Sequence, residues 1–175
     1  MNEIELKVLE INRSAVLKKL NQLHARRIFS GVLKTVYFDF PKNELCKKSQ
    51  VLRLRKIGGK TFLTFKRRLP TNKTVFSEEI EFEVSDFEKA SYFLGHFGFK
   101  PVFSYEKKRV SFRLGTVRIE IEQWLGKFKS IPLFLELEAH REKELFVALK
   151  KLGFSKKDAR AWHTGLLLKH YGFKI

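Results

Sequence analysis

The chain has 175 residues, of which 43% are hydrophobic and 18 are phenylalanine. This length and composition suit a single packed domain over residues 1–175 and exclude a disordered tail. A single cysteine, Cys46, excludes an intrachain disulfide and a thiolate zinc cluster. With 36 Lys and Arg against 19 Asp and Glu, the net charge of +17 favours polyanionic partners, without choosing among nucleic acid, phosphorylated metabolites and acidic membrane surfaces.

The sequence also bears on location. No apolar run reaches the ~20 residues that a membrane-spanning helix needs, and the acidic start lacks the basic and apolar regions of a signal peptide. We therefore expect a cytoplasmic protein that does not act at a membrane.

Hydrophobic alternation with a period of two predicts eight strands, at residues 2–10, 32–40, 50–57, 60–68, 77–84, 102–113, 115–122 and 132–139. Helical spacing predicts four helices among them: Ser14 to about His24, a stripe from Phe87 to Phe97, Arg141 to Leu152, and a last helix beginning near Ser155. Capping-box spacing, Ser85 with Glu88 and Ser155 with Asp158, marks two of the helix starts.

The first strand places charge on one face and apolar side chains on the other. In EIELK, residues 3–7, Glu3, Glu5 and Lys7 alternate with Ile4 and Leu6. Apolar partners with the same phase recur in the later strands, including Ile80 and Phe82, and are predicted to pack beneath the helices. Eight strands avoid exposed edges when they close, so the predicted fold is α+β, an eight-stranded antiparallel β-barrel tunnel with a charged interior and helices packed outside.

The inward phase collects both kinds of charge. The acids are Glu3, Glu5, Glu79, Glu81, Glu120, Glu122, Glu136 and Glu138, and the bases are Lys7, Arg53, Arg55, Lys66, Lys107, Arg109 and Arg118. Buried charges need partners, and carboxylate oxygens suit Mg²⁺ or Mn²⁺ while Arg and Lys suit phosphate oxygens. The sequence therefore predicts a tunnel that binds metal and phosphate.

These residues resemble the CYTH proteins, or triphosphate tunnel metalloenzymes, which include class IV adenylyl cyclases and thiamine, inorganic and RNA triphosphatases. EIELK resembles the family's ExExK signature, and HYGF at 170–173 resembles a common ending. The intervening matches follow the family's order: YFDFP at 37–41, VLRLRK at 51–56, LTFKRR at 63–68, EKKR at 106–109, IEIEQW at 119–124 and IPLFLELE at 131–138.

The resemblance implies roles for the inward residues. Glu3, Glu5, Glu136 and Glu138 resemble the catalytic ligands of a divalent metal, Mg²⁺ or Mn²⁺. Glu122 stands where the family usually has a metal-binding Asp, and its extra methylene loosens the expected fit to Mg²⁺. The implied substrate-binding bases are Lys7, Arg53, Arg55, Lys66, Lys107, Arg109 and, in a variable position, Arg118.

The implied activity is metal-dependent chemistry on a triphosphate such as tripolyphosphate, ATP or thiamine triphosphate. Hydrolysis of inorganic triphosphate or a simple triphosphate ester asks least of the site and is the preferred hypothesis. The alternative is a class IV adenylyl cyclase that makes cyclic AMP and pyrophosphate from ATP.

Because acids and bases nearly balance in the inward set, the excess positive charge lies on the exterior. A further alternative is therefore a non-catalytic protein that binds polyphosphate or RNA there. Monomer and homodimer both stay open.

Overall fold

A computed structural model describes residues 2–69 and 74–174 of the chain. Within these ranges, antiparallel strands pair in the order β5-β4-β3-β2-β6-β7-β8-β1, and β1 pairs again with β5 to close a barrel. A ninth, two-residue strand continues beside β1 where its pairing with β5 ends. The strands are β1 (Asn2–Val8), β2 (Arg26–Asp39), β3 (Gln50–Ile57), β4 (Lys60–Leu69), β5 (Val75–Val84), β6 (Lys100–Leu114), β7 (Val117–Trp124), β8 (Phe134–Ala139) and β9 (Ala159–Arg160).

Five helices accompany the barrel, and none of those described is long and apolar enough to cross a membrane. They are α1 (Arg13–Gln22), α2 (Glu44–Lys47), α3 (Phe87–His96), α4 (Glu142–Lys151) and α5 (Thr164–His170). The eight-stranded barrel and the α+β class predicted from the sequence are confirmed.

Two predicted helix starts were wrong. At Ser155, the side chain of Asp158 accepts hydrogen bonds from the backbone N–H and the hydroxyl of Ser155, both at 2.8 Å, and this closes a turn instead of a helix. The last helix begins only at Thr164. At α3 the N-cap is Asp86, whose carboxylate accepts from the backbone N–H of Lys89 at 2.7 Å, and not Ser85.

The second strand begins six residues earlier than predicted. A β-bulge between Arg27 and Phe29 shifts the register against β6 and breaks the alternation that marks a strand. Beyond the bulge the pairing continues to Arg26, opposite Arg113. The two strands thus extend as a ribbon past the end of β3.

The apolar core lies outside the barrel wall, as the alternation predicts. Leu6, Ile119 and Leu137, all fully buried, pack beneath α1 and α4, and Leu94 of α3 packs on Leu54 and its neighbours in β2 and β3. The charged faces consequently point inward.

The prediction for the outer face of β5 was wrong. Ile80 is 64% exposed and Phe82 is 53% exposed, because α3 packs over β3 and leaves these side chains of β5 uncovered within the described part of the chain.

One end of the barrel is filled by apolar side chains. Tyr105, Trp124 and Phe134 lie there and pack with Leu167 and Leu168 of α5. Trp124 is 1% exposed and belongs to this apolar cluster. We call this the α5 end.

Removal of buried apolar volume outside the wall should destabilise the fold. We expect Leu137→Ala to lower the free energy of unfolding by about 2–5 kcal/mol, since it leaves a cavity beneath the helices. Val147→Ala on α4, at a side chain 47% exposed, should cost less than about 0.5 kcal/mol. Urea unfolding measures both, and equal losses would contradict the placement of the core.

Candidate active site

Three neighbouring strands bring five carboxylates together. Glu5 of β1 lies opposite Glu138 of β8, and Glu136 lies opposite Glu120 of β7. Carboxylate oxygens fall within 4.8 Å of one another in two groups, Glu3 with Glu5 and Glu138, and Glu120 with Glu136 and Glu138. Glu138 is shared, so the two groups form one acidic wall.

Burial and mutual repulsion perturb the acidic wall. Burial, with the neighbouring carboxylates, raises the pKa of Glu120 and of Glu138 to about 8. Burial also opposes ionisation of Glu136, but Lys7 and the bases of β6 outweigh it and hold the pKa of Glu136 well below its ordinary value. Glu120 and Glu138 therefore hold protons near neutral pH, and a cation bound here would displace them.

The acidic wall fits a divalent cation. One buried oxygen of Glu120 and one of Glu138 accept no hydrogen bond within the described residues. Their ion pairs, with Arg109 at 2.5 Å and Arg118 at 3.2 Å, lack hydrogen-bond geometry. Several convergent carboxylate oxygens are the ligand set that Mg²⁺ and Mn²⁺ prefer.

A basic wall from β3 and β4 faces the same lumen. Lys66 donates to Glu3 at 2.7 Å, and Arg53 donates to Glu79 at 3.3 Å. The Nε atoms of Arg53 and Arg55 are buried and donate no hydrogen bond to the described protein. These donors remain available to an anion in the lumen.

Lys7 and the β6 bases hold the acidic wall. The ammonium of Lys7 lies 2.7 Å from Glu136 and 2.9 Å from Glu5. Arg109 contacts both Glu120 and Glu136, at 2.5 and 3.7 Å. These contacts fix carboxylates of three strands relative to one another.

Glu122 lies apart from the acidic wall. It is fully buried, forms an ion pair with Lys107 and accepts from the Nε of Arg109 at 2.6 Å. Its role as a metal ligand stays a prediction. Glu120, two residues earlier, belongs to the acidic wall instead; the inward phase predicted its direction, whereas the family resemblance had pointed to Glu122.

Arg118 marks the end of the lumen opposite α5. It lies near the start of β7, whereas Trp124 ends the same strand. Its side chain is 43% exposed and reaches Glu138 at 3.2 Å and Glu3 at 4.0 Å. We call this the Arg118 end.

A cavity of about 460 Å³ that no sequence pattern indicated lies at the α5 end. Tyr37, Val51, Arg68 and Phe103 line it from the strands, and His163 to Gly165 line it from the start of α5. Burial, aided by Arg68 and Lys7, lowers the pKa of His163 to about 4, so the imidazole is neutral. Because Tyr37 lies opposite Arg53 in the register, the cavity adjoins the basic wall.

Asp39 has a structural role. Its carboxylate accepts from the backbone N–H groups of Phe40, Leu45 and Cys46 at 2.7–2.9 Å and shapes the turn before β3. Cys46 is exposed.

Comparisons with known proteins agree with this geometry. A family model described as the CYTH domain matches residues 1–161. A protein of Methanocaldococcus jannaschii named "Putative adenylate cyclase" is 28% identical over 138 residues, which are 79% of this chain and 77% of that protein.

Two solved structures share the fold. A conserved hypothetical protein of Pyrococcus furiosus superposes with a TM-score of 0.76 at 28% identity, over 93% of this chain and 97% of that one. A protein from Hippeastrum, described as a "Putative adenylyl cyclase" with a dominant triphosphatase activity, has a TM-score of 0.66 at 16% identity, over 99% and 97%. At that identity the second likeness concerns the fold alone.

The acidic wall should make stability depend on pH. Because the pKa values of Glu120 and Glu138 rise from 4.5 to about 8 on folding, the native state holds more protons than the unfolded state between these values. The stability that comes from the protonated carboxyls of Glu120 and Glu138 is fully present below pH 4.5 and is lost as the pH rises through 8. In a chelator, we expect the free energy of unfolding to fall over this window by several kcal/mol, since each unit of pKa difference corresponds to about 1.4 kcal/mol.

Urea unfolding of wild type and Glu138→Gln across this window tests the assignment. The variant should give a flatter profile, and Mn²⁺ should stabilise the wild type most at high pH, where metal displaces the fewest protons. If the free energy of unfolding fell with pH equally steeply in the wild type and in Glu138→Gln, the raised pKa of Glu138 would be contradicted.

Proposed function

This chain belongs to the CYTH domain family, and on that premise we propose that it is a divalent-metal-dependent enzyme acting on a triphosphate bound in the barrel lumen. The reaction is hydrolysis of inorganic triphosphate or of a simple triphosphate ester. One observation carries the proposal: a wall of five carboxylates and a basic wall with unused guanidinium donors face each other inside one closed barrel.

The basic wall binds the phosphate chain. Guanidinium groups donate paired hydrogen bonds that match phosphoryl oxygens, and Arg53 and Arg55 each keep a buried donor unused. Lys66, on the next strand, adds a point charge between Glu3 and Glu79. Together they orient a triphosphate along the lumen.

The other inward bases contact carboxylates of the lumen and lie along the path of the phosphate chain. Lys7, Lys107 and Arg109 hold the carboxylates in place and add positive charge along the phosphate chain. Arg118 contacts phosphate at its own end of the lumen. In this proposal each of these bases either contacts the phosphate chain or orients a carboxylate.

The acidic wall supplies the metal ligands. Glu3, Glu5, Glu120, Glu136 and Glu138 would hold one or two Mg²⁺ or Mn²⁺ ions. Such ions, when bound, neutralise charge on the phosphoryl oxygens and orient the attacking water. Glu122 contributes by orienting Lys107 and Arg109, and through them the neighbouring carboxylates.

Turnover of tripolyphosphate tests the proposal. With Mg²⁺ or Mn²⁺, the wild type should release phosphate, and Glu138→Gln should lower the rate by about 10²–10³-fold, since it removes an oxygen shared by both carboxylate groups. Glu136→Ala should act likewise. Phosphate release is measured after a fixed time at saturating metal.

Glu78→Gln is the matched control. Glu78 lies on β5 but forms its ion pair with Arg67 on the surface, so turnover should stay within about twofold. If no triphosphate yields product in either metal, the proposal fails, and a non-catalytic binder of polyphosphate or RNA is favoured.

The cavity at the α5 end favours a second candidate, an adenylyl cyclase. Its volume of about 460 Å³ lies within the usual range for small-molecule sites, and it adjoins the basic wall, so it has room for the nucleoside of ATP. The name of the Methanocaldococcus relative agrees with this reaction. In a cyclase the 3′-hydroxyl of ATP attacks the α-phosphorus, and pyrophosphate leaves.

A larger side chain in the cavity should distinguish triphosphates that carry an organic group from tripolyphosphate. Val51→Trp should lower turnover of ATP or thiamine triphosphate by about tenfold or more, because the new ring occupies the space of the organic group, and should spare tripolyphosphate. Cyclic AMP and pyrophosphate are scored separately from phosphate. Cyclic AMP from the wild type would establish the cyclase, and phosphate alone would exclude it.

A further inference from the structure

The lumen lining continues beyond the barrel as a row of arginines. Cross-strand pairing places Arg26 of β2 opposite Arg113 of β6, and Arg113 opposite Arg118 of β7. Arg118 in turn lies opposite Glu138, and Glu138 opposite Glu5. One line of residues across five strands therefore joins the acidic wall to the ribbon of β2 and β6.

All three arginines lie on the lumen face of their strands. Arg113 shares the phase of Arg109 and Ser111, which contact Glu122 and Glu120 across the inner surface. Arg26 is its direct cross-strand partner. With a strand spacing of ~4.8 Å, Arg26 lies three strands, or ~14 Å, from Glu138.

Two of the three arginines have no counter-charge within the described residues. Arg26 and Arg113 are exposed, and neither forms an ion pair or a side-chain hydrogen bond with a described residue, whereas Arg118 pairs with Glu138 and Glu3. Like charges directly opposite one another destabilise a sheet. An anion bound along the row would relieve that repulsion.

We propose that Arg26, Arg113 and Arg118 form a binding track for inorganic polyphosphate longer than three phosphates. This rests on the proposed function, since the terminal phosphates occupy the lumen while the rest of the chain leaves at the Arg118 end. At the opposite end Trp124 and Phe134 pack against α5, and the cavity there is lined mainly by uncharged side chains. A longer chain therefore extends along the arginines.

The chemistry favours polyphosphate over RNA. Single-stranded nucleic acid binds through aromatic rings that stack on bases as well as through charge. The nearby aromatic residue of β2, Phe29, has its ring against Gly31 and close to Gly58. Among the described residues, the row therefore offers closely spaced positive charge, while the nearby ring of Phe29 packs on the backbone of its own strand.

Equilibrium binding to the full-length protein in a chelator tests the proposal. The probes are long-chain inorganic polyphosphate, tripolyphosphate and a single-stranded RNA oligomer. The double variant Arg26→Glu/Arg113→Glu should weaken long-chain binding by about tenfold or more and flatten its salt dependence, since phosphate contacts are lost. Tripolyphosphate binding and turnover should stay within about twofold.

A double charge reversal elsewhere is the matched control. Lys89→Glu/Lys169→Glu changes the net charge equally, at exposed positions on α3 and α5, and should leave long-chain binding within about twofold. Arg26→Gln/Arg113→Gln gives a milder version, with unaltered thermal unfolding as the criterion of folding.

The outcomes separate this proposal from the proposed function. Long-chain binding that depends on the arginines, without turnover of any triphosphate, would support the track and refute the enzyme. If the protein hydrolyses tripolyphosphate and the arginine variants bind long-chain polyphosphate as tightly as the wild type, the track is overturned and the proposed enzyme stands. RNA binding that is as tight and as sensitive to the variants would also overturn it, in favour of a nucleic-acid surface.

Discussion

Compensation of buried charge inside a closed barrel is the constraint on which the rest of this structure depends. Charged side chains removed from water need partners, and the inner face satisfies this with ion pairs between neighbouring strands, such as Lys7 with Glu136 and Lys66 with Glu3. Because the interior is ionic, the apolar core must lie outside the wall. The helices α1, α3 and α4 supply its second layer.

The same constraint explains why the site is polarised. Acids cluster on β1, β7 and β8, bases on β3 and β4, and β6 supplies the cations that hold the acids together. Among the described residues, buried carboxylate oxygens on one wall accept no hydrogen bond, and guanidinium groups on the other wall have donors without acceptors. A metal ion with a phosphate chain satisfies both deficits at once, which is why the family assignment and the electrostatics point to the same chemistry.

The parts of the molecule that sequence reasoning predicts are those governed by periodicity. Alternation predicted eight strands, and it also predicted that Glu120 lies on the inner face. It failed where periodicity is broken or short: the bulge at Arg27 hid the start of β2, and α2 has only four residues. Alternation does not show which outer faces are covered by helices, so Ile80 was wrongly predicted to be buried. It also does not show that Glu122 pairs with Lys107 and Arg109, because that pairing depends on distances between strands.

The pairing of the first strand has a consequence for the order of folding. β1 is the strand that joins β5 to β8, so residues 2–8 find their second neighbour only when residues 134–139 are present. Contacts of such long sequence separation carry a large loop-closure entropy and form slowly. During synthesis the barrel therefore stays open at β1, and the side chains of Glu3, Glu5 and Lys7 remain hydrated until the last strands have been made. Desolvation of the ionic interior is thus deferred to the closing step, when all of its counter-charges are already in place.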